Sequence, residues 1–377
     1  MNQPKTFAVI LAGGQGTRFW PVSRKDCPKQ FLDLANTGSS MIQSTAKRIS
    51  ALVSPEALLV VTNDEQKGVV REHLPTAKLI VEPCARNTTA AIGLAAITVA
   101  KSDPNAVMII LPADHFVERP EILLKALSRA VDVAAKESVL VTVGIKPTSP
   151  NTAYGYIGKG EALSSGVARV RRFFEKPSQK RAEEYLAAGD YFWNSGMFIW
   201  RASVILDAIK AHAPEIHAHL MQINSLLDCS EQEYLAAVGG DSAKISSPAV
   251  SSNLAAISDV FAKIESISID FSVLEHAKNA VMVEAEPFGW SDVGSWDSWG
   301  ELISANSDGN VSVGDVLLVD SQDCIVRSDQ RLLAVLGVQN LVVVEHGNAC
   351  LICSRERVQD VKLIVEELKR RGRTDLI

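Results

Sequence analysis

The segment Leu11-Ala12-Gly13-Gly14-Gln15-Gly16-Thr17-Arg18 gathers glycines directly after an apolar run. Glycine lacks a Cβ, so such a turn can approach a phosphate closely and aim backbone N–H groups at it. The spacing is not a Walker P-loop, which continues into Gly-Lys-Ser/Thr, and it is not G-x-G-x-x-G. Arg18 closes the turn, and Lys29 follows in Pro28-Lys29-Gln30-Phe31. Two cations around one glycine turn suit a triphosphate. The plainer alternative is a tight turn with two surface cations.

Two acids stand apart from this turn. Asp114, in Pro112-Ala113-Asp114-His115, comes directly after the apolar run Val107 to Leu111. Mg²⁺ takes carboxylate and phosphate oxygens together, which makes Asp114 a candidate metal ligand. The alternative is a cap on the following helix. Asp292, in Trp290-Ser291-Asp292-Val293-Gly294-Ser295-Trp296, is a second candidate for the same ion, or else a turn aspartate among core tryptophans. Lys176, in Glu175-Lys176-Pro177, is a point charge able to grip a phosphate. Asn194, in Trp193-Asn194-Ser195-Gly196, can hydrogen-bond sugar hydroxyls. No Ser/His/Asp or Cys/His nucleophile set is evident. His212, His217 and His219 cluster without an acidic partner pattern, and the spacing gives zinc little support.

These residues need a scaffold. Phe7 to Leu11, Leu58 to Val61, Val107 to Leu111 and Val139 to Val143 are short apolar runs of the kind that form buried parallel strands. Met41 to Leu52 and Ile122 to Ala135 carry apolar residues at helical spacing. Alternation of the two predicts an α/β fold, a Rossmann-like doubly wound mixed sheet with helices on both faces. Ligands bind beyond the carboxyl ends of such strands, where Gly13 and Asp114 fall. Helices are expected near Arg181 to Ala188 and from Ala202 to about Ala237, with a loop-like Gly239 to Ser252. Beyond Asn306 the runs shorten: Val316 to Val319, Cys324 to Val326, Leu332 to Leu336, Leu341 to Val344 and Cys350 to Ile352. This predicts a small all-β module, sandwich or β-solenoid, closed by an amphipathic helix over Arg355 to Arg371 that Gly372 caps. The expected division is a catalytic α/β domain over 1–305 and a C-terminal β module with its helix over 306–377.

The chain has 377 residues, 47% of them hydrophobic, and a formal net charge of −6. That balance disfavours a general binder of nucleic acid or of anionic membranes. No apolar stretch is long enough to span a membrane; the nearest, Ala90 to Ala100, is short. The N-terminal apolar run meets Gly13 at once and reads as a strand, not a signal peptide. Six cysteines lie scattered without a framework, as expected of a cytoplasmic protein. Cys350 and Cys353 should face opposite sides of a strand, which suits core thiols better than a metal site.

Taken in order, the motifs resemble those of the mannose-1-phosphate guanylyltransferases, of the nucleotide-diphospho-sugar transferase fold. The likeness runs from Val9 to about Trp299 and continues more loosely to the last helix. Leu11 to Pro21 is similar to the family signature. Phe19-Trp20 and Pro28 to Phe31 are similar to the guanylyl branch. Glu82-Pro83 with Arg86-Asn87-Thr88 resembles that branch's guanosine-side segment. Tyr154-Gly155-Tyr156, Phe174 to Pro177, Asn194 to Phe198, Ser268-Ile269-Asp270 and Asp292 to Trp296 follow in sequence. Two departures are visible: Thr89-Ala90 where relatives carry Ala-Pro, and Glu275-His276 where relatives carry Glu-Lys.

The resemblance implies transfer of GMP from GTP to α-D-mannose 1-phosphate, with Mg²⁺ as cofactor and a homodimer as the assembly. Leu11, Ala12, Gly13, Gly14, Gly16 and Thr17 would line the triphosphate with Arg18 and Lys29. Glu82, Pro83, Arg86 and Asn87 would lie by the guanosine. Gly155, Glu175, Lys176, Asn194 and Asp292 would serve the sugar phosphate, and Asp114 and Asp292 would hold the metal. The alternatives are the same chemistry on another sugar 1-phosphate, or a non-catalytic nucleotide-sugar sensor. Some relatives append an isomerase domain; a second activity of that kind is not expected here.

Overall fold

A computed structural model of the chain describes residues 5–227, 236–240 and 248–377, with the side chains of 248–252 excepted. They form two compact units, one within residues 5–13, 45–113 and 117–289, the other of 14–44, 114–116 and 290–377.

The first unit is built on a mixed nine-stranded sheet. Its strands are β1 (Thr6–Leu11), β2 (Leu58–Asn63), β3 (Lys78–Glu82), β4 (Val107–Pro112), β5 (Leu140–Ile145), β6 (Tyr156–Ser164), β7 (Val167–Phe174), β8 (Tyr191–Arg201) and β9 (Ala280–Ala285). They lie in the order β3-β2-β1-β4-β8-β5-β9-β7-β6. The four apolar runs form β1, β2, β4 and β5, and all four are buried through their centres. β1 pairs in parallel with β2 and β4, and β2 with β3. β8 is antiparallel to both β4 and β5. It was legible only as a Trp-Asn-Ser-Gly motif, because its mix of Asn, Ser and Gly with aromatics hides any period of two.

Helices cover this sheet. The alanine-rich run lies inside a helix over Asn87–Ser102, whose residues Thr89 to Val99 are all buried. Small side chains let neighbours close in: a Cβ on Gly93 would overlap Leu220 of the helix Pro214–Leu226. The expected helix from Ala202 ends at His212, and a second begins at Pro214, since proline cannot donate to the preceding turn. The remainder of that expectation, past Leu227, lies largely outside the described residues. So does much of the expected loop from Gly239, whose end from Pro248 is a helix.

In the second unit, the strands Val311–Val313, Ile325–Arg327 and Leu341–His346 pair in parallel, and Val316–Val319 pairs in parallel with Leu333–Leu336. Val311, Ile325 and Val342 thus stack on successive coils. Parallel neighbours cannot be joined by tight hairpins, so the module is a solenoid and not an antiparallel sandwich. Cys324, Val326 and Val343 fill its interior. In the closing strand Ala349–Ser354, Cys350 and Cys353 are free thiols, Cys350 exposed. The terminal helix is shorter than expected: Arg355–Asp360 is a 3-10 turn, and the α-helix spans Val361–Arg370. Gly372 follows with φ 70°. Val361 and Val365 pack into a core with Phe19, Trp20, Leu34, Trp296 and Trp299. The indole N–H groups of that core all find carbonyls: Trp20 donates to Leu376, Trp296 to Trp20 and Trp299 to Leu34.

Candidate functional site

The three glycines of the turn do different work. Gly16 has φ 62°, and a Cβ there would overlap the Cβ of Lys29. That close approach seats Lys29. Gly14 meets nothing within 4 Å, so its missing side chain leaves open space. The buried Gln30 fixes the turn by donating from Nε2 to the Gly14 carbonyl at 3.0 Å. Nothing in the sequence around Gln30 points to this bond, which joins residues sixteen apart.

Lys29 is 5% exposed, an unusual state for an ammonium unless it is paired. It is paired twice. Its Nζ donates to Asp114 Oδ2 at 2.8 Å and to the Asp292 carbonyl at 2.5 Å. Burial pushes the Asp114 carboxyl up, but Lys29 and His115 more than offset this and hold it below its ordinary value. Asp114 is therefore ionised at neutral pH, and it caps no helix: a short strand, Phe116–Val117, follows it, and the next helix begins at Pro120 behind Arg119. His115 Nδ1 accepts from Trp290 Nε1 at 3.1 Å.

Asp292 sits on a strained loop. Its Oδ1 accepts from the Gly294 N–H at 3.1 Å, and a Cβ on Gly294 would lie 2.8 Å from Asp292 Oδ2. The intervening Val293 is fully buried with φ 45°. A β-branched residue in the left-handed region is costly, and such strain collects at functional sites. Lys176, with φ 44°, and Asn87, with φ 64°, are further non-glycine residues in that region. No local sequence signal marks Val293 or Lys176 for it.

Arg18, Lys29, Asp114 and Asp292 line one cavity of about 360 Å³ with the Gly16–Phe19 turn. Lys362, from the terminal helix, lines it too. Sequence reasoning missed Lys362, because a lysine on an amphipathic helix looks like any solvated one.

The first unit carries a second set. Asn194 Nδ2 donates to Asp270 Oδ1 at 2.7 Å, and the Asn194 N–H donates to the Gly155 carbonyl at 2.8 Å. A Cβ on Gly155 would lie 2.6 Å from Glu175 Oε2, so only glycine lets Glu175 reach in. Burial, and then repulsion from Glu175, raises the Asp270 carboxyl to about 6. Asp270 was legible as part of Ser268-Ile269-Asp270 but had no role assigned. Lys176 lies 3.2 Å from Glu175 Oε1. Glu175 and Lys176 line a cavity of about 700 Å³ with Arg172, Arg181 and His276.

A third set lies at the end of β3. Glu82 is 7% exposed, and its Oε1 has no hydrogen-bond partner among the described residues. Burial raises its carboxyl to about 8. Gly13 is close by: a Cβ there would lie 3.7 Å from Glu82 Oε2. Pro83 and Asn87 are exposed. Arg86 donates from Nη2 to the Ala262 carbonyl. Behind Asn87, Thr88 Oγ1 accepts from the Ile269 N–H at 2.9 Å, and Thr89 Oγ1 donates to the Ile267 carbonyl at 2.8 Å. These bonds tether the segment that carries Asp270.

A glycine turn, Arg18 and a buried lysine paired with an aspartate around one cavity suit an enzyme that handles nucleotide phosphates. The chain belongs to the nucleotidyl transferase family, whose model matches residues 7–308; the model of the MannoseP isomerase/GMP-like beta-helix domain matches residues 314–368. It is 39% identical to the mannose-1-phosphate guanylyltransferase of Klebsiella pneumoniae over 375 residues, 97% of this chain and 74% of that protein. It is 38% identical to the alginate biosynthesis protein AlgA of Pseudomonas aeruginosa over 374 residues, 97% of this chain and 73% of that one. Among solved structures it is similar to a protein of Thermus thermophilus described as a mannose-1-phosphate geranyltransferase. That match has a TM-score of 0.83 and 31% identity, and covers 97% of this chain and 99% of the other.

Members of the family generally use a divalent metal. The donor set fits one. Asp114 and Asp292 face one cavity, while no group of three or more His, Cys, Asp or Glu side chains suited to a metal occurs among the described residues. Two carboxylates without a full protein cage suit an ion completed by substrate phosphates. No helix among the described residues is long and apolar enough to cross a membrane.

Proposed function

We propose that the chain transfers GMP from GTP to α-D-mannose 1-phosphate, giving GDP-mannose and pyrophosphate. The observation that carries the chemistry is the buried Lys29 joined to Asp114 and Asp292 beside the Gly16 turn and Arg18. The names of the relatives support the mannose and guanylyl assignments. The orphan oxygen of Glu82 supports guanine: a carboxylate accepts from N1–H and the exocyclic N2–H₂ together, a pair of donors that adenine lacks.

A phosphate oxygen of mannose 1-phosphate attacks the α-phosphorus of GTP in line. The bond from α-phosphorus to the α,β-bridging oxygen breaks, and pyrophosphate leaves with that electron pair. The attacker is already anionic, so no protein nucleophile is required. Catalysis rests on positioning and on neutralising charge. Backbone N–H groups over Leu11 to Thr17, with Gly13, Gly14 and Gly16, cradle the triphosphate, while Arg18 and Lys29 meet its charge. Lys176 grips the sugar's phosphate, and Gly155, Glu175 and Asn194 orient its hydroxyls. Glu82, Pro83, Arg86 and Asn87 flank the guanosine. Asp114 and Asp292 would hold Mg²⁺, which when bound neutralises phosphate charge. The chain's free thiols support a cytoplasmic location, where thiols stay reduced, and the homodimer is carried over from the family resemblance alone.

The test is pyrophosphate release from a panel of nucleoside triphosphates and sugar 1-phosphates. GTP with mannose 1-phosphate is expected to turn over fastest. Turnover of another pair, with none from this one, overturns the substrate assignment.

A further inference from the structure

We propose that Lys362 binds the nucleotide's polyphosphate and the departing pyrophosphate, so that the terminal helix supplies part of the phosphate site. The proposal rests on the nucleotidyltransferase reading of the Arg18–Lys29 cavity.

Three observations carry it. Lys362 lines the cavity that Gly16, Thr17, Arg18, Lys29, Asp114 and Asp292 enclose. Its neighbour Val361 is 2% exposed, and Val361 and Val365 sit in the same core as Phe19 and Trp20, the residues just after the turn. The helix is therefore fixed against the turn, and Lys362 is held at the cavity's edge. The third observation is charge. Lys29 is already matched by Asp114, whereas among the described residues neither Arg18 nor Lys362 forms an ion pair. Farther along the helix, Arg370 and Arg371 share Glu367 as a partner. Two unmatched cations facing one cavity call for a polyanion.

The chemistry suits the residue type. A lysine ammonium is a compact charge on a flexible stem, able to follow pyrophosphate as its bond to the α-phosphorus breaks. Arg18 offers a fixed fork, Lys362 a mobile one-point contact. The solenoid's last helix thus acts on the nucleotide and not on the fold alone.

Lys362 is exposed, so Lys362→Ala should fold normally; its thermal midpoint checks this. Calorimetry with pyrophosphate reads the contact directly, without turnover. A charge-assisted contact predicts affinity for pyrophosphate, and 1/KM for GTP, about tenfold to a hundredfold lower in Lys362→Ala. KM for mannose 1-phosphate should stay unchanged, and Lys362→Arg should recover most of the loss. Pyrophosphate affinity within about twofold of wild type overturns the proposal, as does a change confined to the sugar phosphate. Should wild type turn over no substrate pair, the activity reading falls, while the calorimetric comparison still decides Lys362.

Discussion

Glu82→Gln should remove most of the pH dependence of GTP binding between about pH 6 and pH 8. Burial raises the Glu82 carboxyl from 4.5 to about 8, so the empty site holds it mostly protonated at neutral pH. Guanine donates from N1 and N2, and two acceptor oxygens require the ionised form. The proton must leave on binding. At pH 7 about one chain in ten carries the ionised form, which lowers affinity by about 1.4 kcal/mol; at pH 6 the penalty is about 2.7 kcal/mol. Affinity for GTP should therefore rise about fiftyfold from pH 6 to pH 8, with about one proton released per nucleotide at pH 7. The assay is isothermal calorimetry in buffers of different ionisation enthalpy, with Glu82→Gln as the baseline for phosphate titration. The variant should bind GTP weakly, release no proton from this site and lose preference over ATP. Equal pH profiles for the two proteins, or a variant that still prefers GTP, refute the reasoning. The same shift has a stability consequence of opposite sign. A carboxyl raised on folding stabilises the chain while protonated, and that contribution is lost as pH rises from 4.5 through about 8. Nucleotide-free Glu82→Gln should therefore melt above wild type at pH 8.

The other residues give sharper but simpler expectations. Gly16→Ala strains φ and pushes on Lys29; it should cost about 1–3 kcal/mol of stability, and kcat should fall about a hundredfold because Lys29 is displaced. Asp114→Asn should abolish metal-dependent turnover, read by pyrophosphate release, while circular dichroism stays native. It also removes the carboxylate that balances the buried Lys29 ammonium and leaves it the Asp292 carbonyl alone, which should lower stability by about 3 kcal/mol in denaturant titrations. Asp270, raised to about 6, should accept from Asn194 as an anion only above that pH. KM for mannose 1-phosphate should therefore climb as pH falls through about 6, and Asp270→Asn should flatten that profile.

Short-range features were legible in the sequence. The apolar runs that became β1, β2, β4 and β5 are continuous, as doubly covered strands must be. Gly13 and Asp114 follow strands directly, and a parallel sheet makes those positions informative. β3 was not legible because its apolar run, Leu79 to Val81, is short and bounded by Lys78 and Glu82, and β8 because polar residues interrupt its pattern. Long-range consequences were hidden as well. That Gly16 exists for Lys29, Gly155 for Glu175 and Gly13 beside Glu82 depends on contacts between segments distant in sequence. The unsatisfied oxygen of Glu82 and the left-handed backbone of Val293 are properties of packing, and no spacing rule finds them. Lys362 lies more than three hundred residues beyond the turn it serves, in a helix whose pattern speaks only of amphipathicity.

An oxygen label shows whether the sugar's own phosphate attacks the α-phosphorus. Mannose 1-phosphate carrying ¹⁸O in its non-bridging phosphate oxygens is incubated with unlabelled GTP and the enzyme, and the products are weighed by mass spectrometry. Attack of the sugar phosphate on the α-phosphorus predicts GDP-mannose that retains every label and pyrophosphate that holds none. Label in pyrophosphate, or no GDP-mannose at all, contradicts the account.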